Sequence, residues 1–267
     1  MLLRFDSTRD HSLRRHYPGQ VQTVGGCGPP SQPGARAPVA AILARRSWQT
    51  WRVIDRHDRL ASARLYLVCD ARPNAFVTAA LRGGVDIVQL RLKDAPDERL
   101  LAAARRLAAV CAAHGALFIL NDRPDLVRDA GADGVHVGQD DAPVGNAREL
   151  VGAQRLVGLS THSPEQIDAA AAAGVDYIGV GPIHETPTKP GCAAVGLELV
   201  RYAAAHAKQP FFAIGGIAAD NVASVRAAGA TRIAVVRALT ESSSPERAAR
   251  QLRGAVAPAD EEPIGCA

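Results

Sequence analysis

Aromatic side chains make up only 4% of these 267 residues, and methionine occurs once. Apolar residues still reach 47%, much of it alanine, a composition suited to many helices packed through small side chains. There is no CxxC pair. The five cysteines (Cys27, Cys69, Cys111, Cys192 and Cys266) are odd in number and far apart, which excludes a disulfide framework and a cysteine-based zinc site. They read as reduced thiols of a cytoplasmic protein. No apolar run approaches the roughly 20 residues of a membrane helix. The stretch APVAAILA (37–44) is too short, and Arg45 and Arg46 follow it, the wrong order for a secretory signal.

Charge of one sign is also missing from most of the chain. Residues 1–60 hold ten arginines and four aspartates, a balance of +6, within a total of +4. The remainder is therefore at −2, and a near-neutral body argues against nucleic-acid binding. The leader contains GGCGPPSQPGARAP (25–38), a Gly/Pro tract without periodicity. Residues 1–60 read as a disordered basic extension, 61–256 as the folded domain, and 257–267 as a flexible tail. An arginine-rich, acid-poor leader also fits an organelle transit peptide; a dispensable extension fits better. A short helix is placed within 47–59.

From Arg64 onward, strand-like runs alternate with helical stretches. The runs are LYLVCD (65–70), DIVQLRLK (86–93), LFILND (117–122), GVHVG (134–138), LVGLS (156–160), YIGVGP (177–182), FFAIGGI (211–217) and RIAVVRAL (232–239). Helical stretches include 97–115 and 163–174. Ala130-Gly131, Ala173-Gly174 and Ala228-Gly229 each precede a strand, as glycine does where it closes a helix in the left-handed conformation. Eight such units predict an α/β fold, a (β/α)8 TIM barrel; a doubly wound open sheet is the alternative.

In a barrel the active site lies at the C-terminal strand ends. There the sequence places Gln89, Arg91 and Lys93 at alternate positions, hence on one face. Asn121 and Asp122 end the third run, Asp141 follows the fourth, and Ser160-Thr161-His162 ends the fifth. Thr186, Thr188 and Lys189 follow the sixth, and Gly215-Gly216 the seventh. Arg91, Lys93 and Lys189 are cations for a polyanion. Asp122 and Asp141 suit a shared Mg2+, which takes few protein carboxylates and completes its shell with phosphate and water. The glycine turn before a helix suits phosphate. His136, mid-strand, reads as structural, and His162 is left without a role. The opposite rim shows little beyond helix caps.

With these residues assembled, the chain resembles the thiamine-phosphate synthase (thiamine-phosphate diphosphorylase) family over about 64–256. The segments that carry the likeness are QLRLK (89–93), ND (121–122), GVHVGQDD (134–141), GLSTH (158–162), GPIHETPTK (181–189) and AIGGI (213–217). The resemblance implies a transferase of thiamine biosynthesis. It would join 4-amino-2-methyl-5-hydroxymethylpyrimidine diphosphate to a thiazole phosphate, giving thiamine phosphate and diphosphate. It further implies that Gln89, Arg91, Lys93, Asn121, Ser160 and Lys189 hold the pyrimidine diphosphate, with Lys189, Arg91 and Ser160 assisting the chemistry. Asp122 and Asp141 would bind Mg2+. Thr186, Thr188, Gly216 and Val236 would meet the thiazole phosphate. Arg237 stands where many members carry serine, and either grips that phosphate or points away. Leu92 replaces a frequent acidic residue but faces away from the site. The implied partners are small-molecule substrates, with no nucleic acid and no membrane; a homo-oligomer is compatible with all of this. A thiazole tautomerase or a ligand-sensing regulatory barrel are the competing readings. A tautomerase needs no diphosphate and metal set, and a regulator needs a partner surface.

Overall fold

The computed structural model describes residues 55–186 and 193–256. Eight parallel strands close into a barrel in sequence order, which settles the choice between barrel and open sheet. They are β1 (Leu65–Cys69), β2 (Ile87–Leu90), β3 (Leu117–Asn121), β4 (Gly134–Val137), β5 (Leu156–Thr161), β6 (Tyr177–Val180), β7 (Phe211–Ile214) and β8 (Ile233–Val235). Between β1 and β5 lie α2 (Asn74–Arg82), α3 (Asp97–Ala113), α4 (Val127–Ala130) and α5 (Val144–Val151), after α1 (Arg56–Ser62). Beyond β5 come α6 (Pro164–Ala172), α7 (Gly196–His206), α8 (Val222–Ala227), α9 (Arg237–Thr240) and α10 (Pro245–Val256). Gly131, Gly174 and Gly229 take φ of 68°, 73° and 105°, the left-handed closure expected of them. Among the described residues no helix is long and apolar enough to cross a membrane. Cys69 and Cys111 are buried free thiols; the other three cysteines lie outside the described residues.

Strand alternation sorts the core into two shells. Leu65, Leu67, Val88, Leu90, Val135, Val137 and Ile178 face the helices, and Leu92 packs with them. Tyr66, Ile87, Leu117, Ile119, Leu156, Tyr177, Phe212 and Ala234 fill the barrel. Three of the scarce aromatics meet there: Phe212 lies edge-on to Tyr66 at 5.3 Å and to Tyr177 at 5.8 Å between ring centres. The same inward face, continued towards the strand ends, carries Gln89 after Ile87, Asn121 after Ile119, and Ser160 two steps beyond Gly158.

Several runs end sooner than the sequence suggests, β2 and β8 among them. β2 stops at Leu90, because the chain turns at Asp94 (φ 57°) to start α3. β8 stops at Val235; Val236 leaves the extended region (φ −118°, ψ −85°), and Arg237–Thr240 coil into one helical turn.

The N-terminal rim is richer than the sequence reading allows. Asp86, Asp133 and Asp176 each stand one residue before an even-numbered strand, and each accepts from the preceding strand's backbone. Asp86 takes Arg64 N and Leu65 N at 2.7 and 3.0 Å, Asp133 takes Phe118 N at 3.0 Å, and Asp176 takes Val157 N at 2.6 Å. Each also meets arginine: Arg253 on Asp86, Arg56 and Arg59 on Asp133, Arg148 on Asp176. A carboxylate can serve amide and guanidinium together because it has four lone-pair sites. These bonds fix the strands' lower ends. The helix α1 lies across this rim. Its Leu60, 3% exposed, joins the barrel's inner cluster, and His57 reaches Asp176 at 3.1 Å. The boundary expected at 60/61 thus falls within a helix bonded to the barrel.

Candidate active site

At the opposite rim one cleft gathers residues from all eight strands' ends. Gln89 is buried, and its Nε2 donates to Asn121 Oδ1 at 2.7 Å. Asn121 Nδ2 in turn donates to Asp122 Oδ2 at 2.5 Å. Each amide is thereby held in one orientation, and both residues line the cleft. Asp122 itself adopts φ 59°, a conformation that aspartate tolerates better than most residues, while its amide closes on His136 O at 2.9 Å. Asp141 is fixed from the next loop, where the Gly138 amide donates to its Oδ2 at 2.8 Å.

Partial burial and the neighbouring Asp141 carboxylate push the Asp122 carboxyl up to about 6; Lys93 and the Asn121 amide pull it back. Two carboxylates held together in a half-dry site resist carrying two charges at once. Their oxygens form a hard donor pair suited to a small divalent cation. Among the described residues there is no group of three or more His, Cys, Asp or Glu that would enclose a metal without substrate.

Arg91 and Lys93 line the same side of the cleft. Arg91 follows the strand alternation, its amide still bonding Cys69 O at 2.9 Å, whereas Lys93 arrives from the turn beyond. Ser160 and His162 line it from β5. His162 N donates to Gln166 Oε1 at 2.7 Å, and its ring meets Gly181 O.

The far wall comes from β6 to β8. Thr186, Gly215, Gly216, Val236 and Arg237 all line it. Gly215 and Gly216 take φ of 105° and 65°, which permits the sharp turn. Asn221 staples that turn: its Nδ2 donates to Gly216 O at 2.8 Å and its Oδ1 accepts from Ala218 N at 2.9 Å. Arg237 therefore stands at the cleft, across from the paired carboxylates. Thr188 and Lys189 lie outside the described residues.

Sequence reasoning missed two contributors. His136, set aside as structural, lines the cleft and bonds Ser160 Oγ at 3.0 Å. Its inward direction follows from its register, directly beside Asn121 on β3. The second is Gly138, at the end of the fourth run: a Cβ there would lie 2.6 Å from Asp141 Oδ2, so the carboxylate needs the glycine.

The fold and much of the sequence recur in known proteins. A thiamine-phosphate synthase of Mycobacterium tuberculosis is 51% identical over 218 residues, covering 76% of this chain and 98% of that one. One from Nostoc punctiforme is 53% identical over 192 residues, covering 71% of this chain. The chain spans about half the length, 55%, of that cyanobacterial relative. The solved thiamine phosphate pyrophosphorylase from Pyrococcus furiosus superposes with a TM-score of 0.67 at 31% identity, over 75% of this chain and 96% of that one. The sequence profile described as thiamine monophosphate synthase matches residues 65–239, from the first strand through the turn that carries Arg237. With the barrel, the cleft and that match in agreement, the chain belongs to the thiamine monophosphate synthase family.

Proposed function

We propose that this chain is a thiamine-phosphate synthase, condensing 4-amino-2-methyl-5-hydroxymethylpyrimidine diphosphate with a thiazole phosphate and releasing diphosphate. The observation that carries the reading is the division of one cleft into two anion-handling walls. Arg91, Lys93 and the Asp122–Asp141 pair stand on one, and the Gly215-Gly216 turn and Arg237 on the other. A reaction of two phosphorylated substrates needs such a pair of walls. A tautomerase has no use for the first, and a regulator has no use for two carboxylates paired in a cleft with Arg91 and Lys93.

In this reading Gln89 and Asn121, locked by their mutual hydrogen bond, orient the pyrimidine diphosphate. Arg91, Lys93 and Lys189 meet its charge, and Ser160 donates to it from β5. Asp122 and Asp141 would hold Mg2+, which when bound would offset charge on the departing diphosphate. Thr186, Thr188, Gly216, Val236 and Arg237 seat the thiazole phosphate, so that the thiazole nitrogen faces the pyrimidine methylene. The C–O bond to diphosphate breaks, the electron pair leaves with the oxygen, and the nitrogen lone pair forms the new C–N bond. The aminopyrimidine can spread the positive charge on its methylene, so no protein nucleophile is required. The protein's work is electrostatic stabilisation and alignment. The buried free thiols Cys69 and Cys111 support a cytoplasmic setting.

The test is diphosphate release with both substrates, with each omitted, and with Mg2+ removed. Release that needs both substrates and the ion is expected. Release from the pyrimidine alone at the same rate would sink the synthase reading, as would none with both.

A further inference from the structure

Beneath the cleft a row of hydrogen bonds runs through the otherwise apolar barrel. Tyr66 and Tyr177 hydroxyls lie 3.0 Å apart, Tyr177 Oη lies 3.3 Å from His136 Nδ1, and His136 Nε2 lies 3.0 Å from Ser160 Oγ. The cleft itself is lined by the last two members, His136 and Ser160, and the tyrosines lie below it. Space for the row is built by neighbouring strands. A Cβ at Gly158 would come within 2.2 Å of the Tyr177 ring and 2.6 Å of His136 Nδ1. A Cβ at Gly179 would come only into ordinary contact with the imidazole, at 3.4 Å. Both tyrosines are buried, and burial raises both phenols well above their ordinary range, so each keeps its proton.

Donor counting gives the row a direction. Tyr66 is 2% exposed, and among the described residues the partner of its hydroxyl is Tyr177. A buried O–H without an acceptor is costly. Tyr66 therefore donates to Tyr177, and Tyr177 donates onward to His136 Nδ1. An imidazole that accepts at Nδ1 carries its proton on Nε2. That Nε2–H points at Ser160 Oγ, which accepts it, leaving the serine's own proton to donate into the cleft. The reverse direction would leave Tyr66 with a stranded proton and draw the serine's proton away from the cleft.

We propose that His136 is a positioning residue, its tautomer set by Tyr177 and Tyr66, which turns the Ser160 hydroxyl proton towards the substrate. The proposal rests on the synthase reading for the serine's target, but the tautomer can be judged without substrate. Asparagine at 136 can keep the Tyr177 bond and loses Ser160; glutamine restores an N–H near Ser160. His136→Asn is expected to lower kcat/KM for diphosphate release about tenfold, the scale on which outer partners act. His136→Gln is expected to recover part of that. In a Ser160→Ala background, His136→Asn should cost no more than about twofold further, because the group it acts through is already gone. Independent, multiplying losses in the double variant, or glutamine no better than asparagine, would overturn the proposal, provided melting temperatures stay level. Should these variants not fold, 15N spectra of the histidine-labelled wild type decide alone, with Tyr177→Phe marking the His136 signals. A bare Nδ1 and a protonated Nε2 are expected, and the opposite tautomer refutes the idea. A wild type that releases no diphosphate fails the synthase reading, while the spectra still judge the tautomer.

Discussion

The Gly138 amide donates to the Asp141 carboxylate at 2.8 Å across a turn whose tightness depends on glycine having no side chain. Added carbon at that position would stand 2.6 Å from the accepting oxygen. Gly138→Ala should therefore push Asp141 off its seat without touching the barrel core. We expect the Mg2+ concentration for half-maximal diphosphate release to rise by roughly ten- to a hundredfold, as when a ligand loses its support. The melting temperature should hardly change. An unaltered Mg2+ requirement would show that Asp141 does not serve the ion.

Asp122 gives a second and sharper test. Asp122→Ala should depress turnover by about a hundredfold or more, the usual scale for one key electrostatic group. Its circular dichroism should match wild type. Chelation by EDTA should abolish activity and added Mg2+ restore it.

The same residue sets a pH dependence. Burial and Asp141 raise the Asp122 carboxyl from 3.8 to about 6 in the folded, metal-free protein. The fold therefore binds this proton more tightly than the unfolded chain does. From this group alone, stability falls as pH climbs from about 3.8 to 6 and stays level above. Metal-free Asp122→Asn should melt higher than wild type at pH 8, and the gap should narrow below pH 6. Protons compete with Mg2+ for the same oxygens, so half-saturation by Mg2+ should rise as pH drops below about 6. A flat Mg2+ requirement from pH 5 to 8 would count against the pair as the ion's seat.

Arg237 lines the cleft beside the Gly215-Gly216 turn. A guanidinium can grip phosphate through two parallel bonds. Changing Arg237→Ser should raise the KM for the thiazole phosphate several times more than the KM for the pyrimidine diphosphate. Equal changes in both constants, or none, would place the side chain away from that phosphate.

Much of this was legible in the sequence, for a definite reason. A strand's face repeats every two residues, so the inward position of Gln89, Asn121 and Ser160 follows from their spacing to Ile87, Ile119 and Leu156. Arg91 obeys the same rule one step past the strand end. Lys93 reaches the cleft too, but from a turn, where alternation no longer applies. Arg237 was read into a strand and sits in a helical turn, because three apolar residues suffice for β8 and nothing in VVRAL marks the change. His136 was misjudged because mid-strand position was taken to mean core, although the inward face of β4 opens into the cleft. The lower rim does leave a trace in the sequence: Gly131 and Gly174 are each followed two residues later by aspartate, a spacing Gly84 and Asp86 share.

That lower rim supplies the last test. The helix α1 contributes Leu60 to the inner cluster and sets Arg56 and Arg59 on Asp133, at 2.7 and 3.3 Å, and His57 on Asp176. The partly exposed ion pairs contribute little each. Burial of Leu60 is the larger part, roughly 2 kcal/mol for one leucine side chain. For a domain of this size that corresponds to a fall of about 4–8 °C in melting temperature. A chain starting at Ala63 should therefore melt that much lower than one starting at Asp55, and Leu60→Ala in the full chain should reproduce most of the loss. Turnover measured well below both melting points should be nearly the same, because the cleft lies at the other end of the strands. Equal melting of the two truncated chains would show that α1 merely rests on the barrel. A large loss of turnover in the shorter but folded chain would show that the lower rim holds the strand ends of the site in place.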